Sequence, residues 1–235
     1  MSLGNRSGLS LVAFGLLALA APAPADAQVI EQSAGPKPEI IQGTVGVRTM
    51  LIRSSAFDPF SRTDAVPQVS LSIEHPLLRS GSFVVAAGFG TDFGASSSEA
   101  RGVASSLSLW RLAAVVEGRY YARPFTYAFA RLSPGMLRGD AALTDPSSPN
   151  AKDLVDHFDV FSIDPSVGSA IRMSGDSSPV GAWISAEAGY SWAQSHHLLL
   201  APPSSPRDQS KIVPVDLGTI DPRGVFFRIA FAITY

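Results

Sequence analysis

Apolar and polar residues alternate along most of the chain, and the alternation is clearest at its carboxyl terminus. There every second residue is apolar, the set being Val225, Phe227, Ile229, Phe231, Ile233 and Tyr235, and the small or charged residues Arg228, Ala230, Ala232 and Thr234 lie between them. Successive side chains of a strand point to opposite faces, so this segment predicts a strand with one apolar and one polar face. The same alternation recurs around residues 69–74, 110–120 and 180–192.

Eight segments carry this pattern, and the connections between them fall into two classes. The predicted strands are 40–53, 65–76, 82–92, 105–121, 126–138, 158–173, 179–193 and 223–235. Long polar connections (54–64, 93–104, 139–157 and 194–222) alternate with short ones (77–81, 122–125 and 174–178). In an up-and-down meander this sorting places all long loops at one end. It predicts an all-β fold, an eight-stranded antiparallel transmembrane β-barrel with long extracellular loops.

The amino terminus has the three parts of a secretory signal peptide. Asn5 and Arg6 precede a short apolar run at 9–21, and Ala25-Asp26-Ala27 supplies a cleavage site of small residues. The alternative is a membrane-anchor helix, but this run is shorter than the about 20 residues that span a bilayer. The predicted organisation is a signal peptide over 1–27, a short periplasmic segment over 28–39 and the barrel over 40–235.

Aromatic residues on the apolar faces are spaced as two rings around a barrel. Trp110 and Tyr120 are ten residues apart on one predicted strand, which projects to roughly 26 Å along the axis of a tilted strand, close to the height of the apolar band. The predicted membrane girdle has Phe89, Trp110, Tyr190 and Trp192 at the long-loop end and Phe83, Tyr120 and Tyr235 at the short-turn end. The alternative, the core of a soluble sandwich, leaves the charged face unexplained.

The chain resembles the small eight-stranded outer-membrane barrels of the OmpA and OmpX type, and the last strand carries the most specific likeness. Its alternating residues are similar to the carboxyl-terminal signal that the barrel assembly machinery reads, here Phe227, Ile229, Phe231, Ile233 and Tyr235. Many members end in Phe where this chain ends in Tyr. The resemblance implies an outer-membrane location. Larger members carry a peptidoglycan-binding domain after the barrel, for which this sequence has no segment, so a cell-wall anchoring role is not expected.

The opposite faces of the strands carry charged residues that would point into the lumen. The predicted lumen charge network is Arg48, Glu74, Arg111, Glu117, Arg119, Arg131, Asp164, Arg172, Glu187 and Arg228. Eight strands enclose a space just wide enough for side chains, and buried charges require partners. We therefore expect ion pairs, including Glu187 with Arg228 and Glu117 or Arg119 with strands three and five. A packed polar plug is favoured over a conducting pore.

The fifth strand allows two registers. If Phe125, Tyr127 and Phe129 face lipid, then Arg131 does so as well, at a cost of about 2–4 kcal/mol near the bilayer centre. The other register puts Ala128, Ala130, Leu132 and Met136 outward and Arg131 in the lumen, and is preferred. Pro134 and Pro165 fall at similar heights on strands five and six. Because proline donates no backbone hydrogen bond, we expect a bulge or a weakened seam between these two strands.

Composition excludes several classes of protein. The chain is 46% hydrophobic and 16% charged, has no Cys, and carries 18 basic against 20 acidic residues. A disordered chain would be more charged, and disulfide scaffolds, thiolate metal sites and cysteine enzymes require Cys. The balanced charge gives no attraction to nucleic acid. No cofactor or metal is predicted.

One segment could bear catalysis in an outer-membrane lipid A hydrolase. Ser195, His196 and His197 are adjacent and Asp208 follows in the same loop. The match to the H-x-S-N-like segment of such deacylases is poor, and adjacent strand residues face opposite ways. His75 and His157 are isolated in the sequence. Acidic residues of the third long loop lack calcium-loop spacing and are expected to be solvated: Asp140, Asp145, Asp153 and Asp156. The chain is not expected to be an enzyme.

The fourth long loop, 194–222, contains the apolar segments 196–203 and 211–217. It is expected either to extend its flanking strands as a hairpin above the membrane or to cover the barrel mouth, and it is the candidate surface for an extracellular ligand. The predicted function is structural or surface-interactive, in a monomer surrounded by outer-membrane lipid and lipopolysaccharide. The alternative is a small channel or transporter for small or apolar solutes.

Overall fold

The computed structural model describes residues 40–100, 102–145, 153–175, 178, 180–202 and 214–235. The predicted signal peptide, the 28–39 segment and Asp208 lie outside these residues. The strands are β1 Gln42–Leu51, β2 Ala65–Ser80, β3 Phe83–Ala100, β4 Val103–Arg123, β5 Thr126–Thr144, β6 Leu154–Arg172, β7 Gly181–Ala193, β8 His196–Leu200, β9 Val215–Ile220 and β10 Gly224–Thr234, with a 3-10 helix at Asp58–Phe60.

Eight of these strands form a closed antiparallel barrel in the order β1-β10-β7-β6-β5-β4-β3-β2. This confirms the predicted eight-stranded fold. The first and last strands close the ring through pairs from Gln42↔Thr234 to Met50↔Phe226. The other two strands, β8 and β9, form a separate hairpin within the 194–222 loop. The described residues include no helix with the length and apolarity needed to cross a membrane.

The central strands extend further into the long-loop end than the alternation pattern predicted. The predicted loop 93–104 is mostly strand, since β3 reaches Ala100, β4 begins at Val103, and Gly102 adopts a φ of +79° in the turn between them. The third loop is shortened in the same way, because β5 continues to Thr144 and β6 begins at Leu154. The extension of β3, residues 93–100, is rich in Ser, so its backbone pairing leaves no apolar alternation in the sequence.

The predicted disruption between strands five and six is wrong. Pairing of β5 with β6 runs without a register shift through both prolines, with Leu132 opposite Pro165 and Pro134 opposite Ile163. The interruptions lie on the other sides, in the β4–β5 pairing opposite Pro134 and in the β6–β7 pairing at Pro165. A strand residue directs its backbone groups to one neighbour only, and each proline nitrogen faces away from the shared β5–β6 side.

Burial divides the barrel wall into an apolar outside and a charged inside. Ile229 and Val167 are 66% and 64% exposed on the outer face, whereas Arg119 and Glu74 are each 1% exposed in the lumen. This arrangement is the reverse of a protein folded around an apolar core in water. The charged residues enclosed in the lumen are therefore the candidate functional site.

Candidate functional site

Charged side chains fill the middle of the lumen in two groups. The Arg48 cluster consists of Arg48, Asp92, Arg111 and Asp164. The Arg131 cluster consists of Glu74, Glu117, Arg119, Arg131, Glu187 and Arg228. Each group contains equal numbers of arginines and carboxylates, so neither leaves a net charge in the lumen.

The Arg48 cluster is a closed ring of ion pairs across the barrel. Arg48 lies 2.8 Å from Asp92 and 2.8 Å from Asp164, and Arg111 lies 3.1 Å and 3.2 Å from the same two carboxylates. Ser70 donates to Asp92 at 2.5 Å, and a serine of β7 donates to Asp164 in the same way. The four charged residues come from β1, β3, β4 and β6. Three of the four ion pairs join strands that are not neighbours in the barrel wall, the exception being Arg111 with Asp92.

The Arg131 cluster contains a second ring, built from two arginines and two glutamates. Arg131 is 2.7 Å from Glu74, and its Nε donates to Glu117 Oε2 at 2.7 Å. Arg119 is 2.7 Å from the other oxygen of Glu74 and 2.6 Å from Glu117. Both carboxylates are thus shared between two guanidinium groups, a geometry that planar arginine side chains suit. The structure places Arg131 in the lumen, in the register preferred for strand five.

The second ring extends across the lumen to β7 and β10. Glu187 is 3.7 Å from Arg131 and pairs directly with Arg228, its cross-strand partner. Arg172 does not join this network, contrary to the prediction. It lies at the short-turn end, where it donates to Ser174 Oγ at 3.0 Å and to the Ser178 carbonyl at 3.4 Å. Arg172 has the inward parity of the network, but it lies further along strand six than the charged layer.

Asp92 is the lumen residue that sequence reasoning missed. It was the last residue of the predicted third strand, and the structure buries it between Arg48 and Arg111. The signal was available, since Val84 and Ala86 also face inward and the same parity continues to Asp92. The pairing requirement pointed the same way, because Arg48 and Arg111 together need more than one carboxylate.

An apolar cluster fills the lumen above the charges, at the long-loop end. We call it the mouth cluster: Met50, Ile52, Ala56, Phe57, Phe60, Val66, Leu107, Leu109, Leu137, Ala141, Phe158, Val160, Ala193, Leu198, Leu200, Ile220 and Phe226. It brings together the first loop, the β8–β9 hairpin and the inward faces of the barrel strands. The two alternatives for the 194–222 loop are therefore both partly right, because the loop forms a hairpin and the hairpin covers the mouth.

Aromatic side chains close the opposite end of the lumen. Tyr121, Tyr127, Phe129 and Trp183 pack together, with ring centroids 5.0 Å apart for both Tyr121–Tyr127 and Tyr127–Trp183. The indole Nε1 of Trp183 donates to Thr234 Oγ1 at 3.2 Å, which satisfies the one polar atom of that ring. We call this the base cluster. The expectation of a lumen filled throughout by polar side chains is wrong, because the charges occupy only the layer between two apolar clusters.

Aromatic residues of the predicted girdle lie on the outer face. Trp110 and Tyr120 are exposed there, as are Tyr190, Trp192 and Tyr235, and Phe83 is the cross-strand partner of Tyr120. The placement of Phe89 at the long-loop level is wrong. It pairs with Ala114, four residues along β4 from Trp110 toward the short turns. Phe93 takes that position instead and stacks on Trp110 with centroids 6.1 Å apart.

The candidate catalytic residues are directed to different partners. His196 pairs with Asp156 at 3.3 Å and His197 with Asp216 at 3.3 Å, on opposite faces of β8. The hydroxyl of Ser195 accepts a hydrogen bond from Arg223 at 3.5 Å. The two histidines therefore orient away from a shared site with Ser195.

Two acidic residues of the third loop have side-chain partners, Asp140 with His157 and Asp156 with His196. His157, which is isolated in the sequence, lies 2.6 Å from Asp140 in the structure. Arg138 adds a 3.6 Å contact to the same carboxylate. Within the described ranges, no group of three or more His, Asp or Glu side chains is arranged to hold a metal ion.

Comparisons with known proteins were made for the sequence and for the fold. No protein-family model and no curated protein matches the chain. Among solved structures, it is similar to Ail, the attachment invasion locus protein of Yersinia pestis in complex with the heparin analogue sucrose octasulfate, at 11% identity and a TM-score of 0.45 over 83% of this chain and 96% of that one. Neisserial surface protein A shows 8% identity and a TM-score of 0.46 over 83% and 94%. The outer membrane protease OmpT of Escherichia coli shows 8% and 0.46 over 85% and 98%. At identities of 8–11% this is a likeness of fold alone.

Proposed function

We propose that this protein is an integral outer-membrane β-barrel with a closed lumen, which acts as a structural or surface-interaction protein. The inversion of polarity carries the proposal. Apolar side chains such as Ile229 and Phe231 cover the outer wall, and arginines and glutamates are enclosed. An apolar surface running around a whole barrel would drive association in water, whereas lipid acyl chains solvate it.

The height of the apolar band supports a bilayer. Trp110 at one level and Tyr120 at the other bound the apolar part of β4, and both are exposed as amphipathic rings at a membrane interface are expected to be. Outer-membrane lipid and lipopolysaccharide are then the surrounding partners, and the monomer is the functional unit.

The carboxyl-terminal strand presents the proposed assembly signal on the lipid side. Its alternating residues are all exposed on the outer wall: Phe227, Ile229, Phe231, Ile233 and Tyr235. An assembly factor that binds the strand before closure meets these side chains on one face. The barrel assembly machinery is the proposed partner at that stage.

Lumen packing supports the closed barrel over the channel alternative. The mouth cluster and the base cluster are apolar layers on either side of the charges. An ion crossing the barrel would have to displace both layers and break balanced ion pairs. The interaction role then falls to surfaces, above all to the β8–β9 hairpin, whose inner residues Leu198 and Leu200 are buried while His197, Leu199 and Asp216 face outward.

Reconstitution separates these functions. The folded protein should be heat-modifiable on gels and should insert into lipid vesicles, while giving no discrete conductance steps in planar bilayers where a known porin does. Regular conductance steps would favour the channel. Failure to insert into vesicles would contradict the membrane location itself. Unchanged lipid A acylation on overproduction would fit a role without catalysis, and loss of an acyl chain would favour the hydrolase.

A further inference from the structure

A cleft with two arginines opens on the outer wall at the long-loop end. The cavity has a volume of about 370 Å³ and lies between β1, β7 and β10. Its polar wall consists of Arg53, Arg223 and Asp221, and its apolar side is formed by Leu51, Tyr190 and Val225. Neither of its arginines belongs to the lumen clusters.

The pairing of β1 with β10 brings the two arginines to one place. The last pair of these strands is Met50↔Phe226. Arg53 lies three positions beyond Met50, and Arg223 lies three positions before Phe226 on the antiparallel strand. Both line the same cavity. Gly224 permits the close approach, because a Cβ at this position would overlap the carbonyl oxygen of Leu51.

Arg223 is held in position by uncharged groups. Its Nε donates to the Ala193 carbonyl at 2.9 Å, and its guanidinium carbon lies 5.4 Å from the centroid of the Trp192 ring. Asp221 is 3.9 Å away, at the limit of an ion pair. Among the described residues no carboxylate lies closer to this guanidinium, so its charge is not closely paired.

Arg53 is exposed, and among the residues that the structure describes its guanidinium has no hydrogen bond or ion pair. Two arginines and one aspartate leave the cleft with a net positive charge. Like charges at adjacent strand ends repel, and a dianionic group between them would turn that repulsion into attraction. Guanidinium groups match the oxygens of phosphate, to which they donate in pairs.

The level of the cleft identifies the kind of phosphate. Trp192 and Tyr190 mark the predicted girdle at the long-loop end, where the headgroups of the outer leaflet lie. Leu51 and Val225 extend the wall toward the apolar band, as an acyl chain requires. Basic pockets at this depth on membrane proteins bind anionic lipid headgroups.

We propose that this cleft binds the phosphate of an outer-leaflet glycolipid, with Arg53 and Arg223 as its ligands and the apolar wall against its acyl chains. The proposal rests on the outer-membrane location argued above. It adds a specific lipid-binding site to what would otherwise be a uniform lipid-facing surface.

Binding is tested with the full chain folded in neutral detergent micelles, by titrating bisphosphorylated lipid A and counting bound lipid by native mass spectrometry. The R53A/R223A variant is expected to bind at least about tenfold more weakly, from the loss of charge-assisted hydrogen bonds. The R79A/R123A variant removes the same charge at the short-turn end and should bind within about twofold of the wild type. Substituting Asp221→Asn should leave binding equal or tighter, since Asp221 is the one acidic residue among those that line the cleft.

Several results would overturn the site. These are unchanged binding by R53A/R223A, an equal loss in R79A/R123A, or equal binding of dephosphorylated lipid A by the wild type. Full competition by millimolar inorganic phosphate would assign the cleft to free phosphate and contradict the lipid. Vesicle insertion of each variant is measured in parallel. A protein that inserts but shows none of these differences refutes the site alone, whereas one that does not insert refutes the outer-membrane location.

Discussion

Arg131 and Glu117 face each other across β4 and β5, with Arg131 Nε donating to Glu117 Oε2 at 2.7 Å in the centre of the lumen. Each also binds a second partner, Arg131 to Glu74 and Glu117 to Arg119. The pair is therefore a corner of a ring that ties three strands together. Between the apolar mouth cluster and base cluster, this ring fills the lumen with ion pairs.

Replacing Arg131 with Gln should destabilise the folded barrel by about 3–5 kcal/mol, because it leaves buried glutamates without a counter-charge. The E117Q/R131Q double variant should lose less than the sum of the single variants. Urea unfolding in lipid vesicles measures both. Arg138 lies on the same strand with a half-exposed side chain, and R138Q should change stability by no more than about 0.5 kcal/mol. Simple additivity would contradict the ring.

Substitution of Val116 tests the lipid contact. Val116 is exposed in the apolar part of β4, and Ser106 is exposed on the same face near the long-loop end. Val116→Arg should cost about 2–4 kcal/mol of folding free energy in a bilayer, and Ser106→Arg about 0–1 kcal/mol. Vesicle refolding titrations provide the comparison. Equal effects at the two depths would argue that no hydrocarbon surrounds β4.

Gly88 should tolerate no side chain. A Cβ at this position would overlap the Ile73 carbonyl oxygen on β2, whereas a Cβ at Gly43 meets nothing within 4 Å. Gly88→Ala should therefore push two paired strands apart, at a cost of about 1–3 kcal/mol or more, while Gly43→Ala should be nearly neutral. Heat-modifiability on gels and urea midpoints report on both. A neutral Gly88→Ala would show that β2 and β3 separate without penalty.

Leu198 anchors the β8–β9 hairpin in the mouth cluster, and Leu199 faces outward on the same strand. Leu198→Asp should release the hairpin, since it places a charge among apolar side chains. Limited proteolysis is expected to cleave this variant within 194–222 faster than the wild type, with the eight barrel strands intact. Leu199→Asp should be cleaved at the wild-type rate. Equal rates in both variants would contradict the anchoring role of Leu198.

The sequence was sufficient to predict the barrel strands because their period of two leaves a visible trace wherever one face is apolar. That trace is absent where a strand continues beyond the apolar band, so the Ser-rich end of β3, residues 93–100, falls in the predicted loop 93–104. Side-chain parity located the ion pair of Glu187 with Arg228. It did not reveal Phe57 and Phe60 in the barrel mouth, because a loop has no period from which to predict packing.

Arg172 and Phe89 illustrate a second limit. Alternation predicts which face of the wall a residue occupies. It does not predict how far along the barrel axis the residue lies, because that position depends on strand register. Arg172 has the inward parity of the network but lies near the turn at 174–178, and Phe89 has outward parity but lies below Trp110. Register follows from backbone pairing around the whole ring, which no single strand encodes.

The continuous pairing of β5 with β6, flanked by an interruption on each side, has a consequence for breathing motions of the barrel. Cross-strand pairing is interrupted at the two gaps, so hydrogen exchange of the backbone amides should begin there, in the middle of the wall, while the paired β5 and β6 strands stay protected.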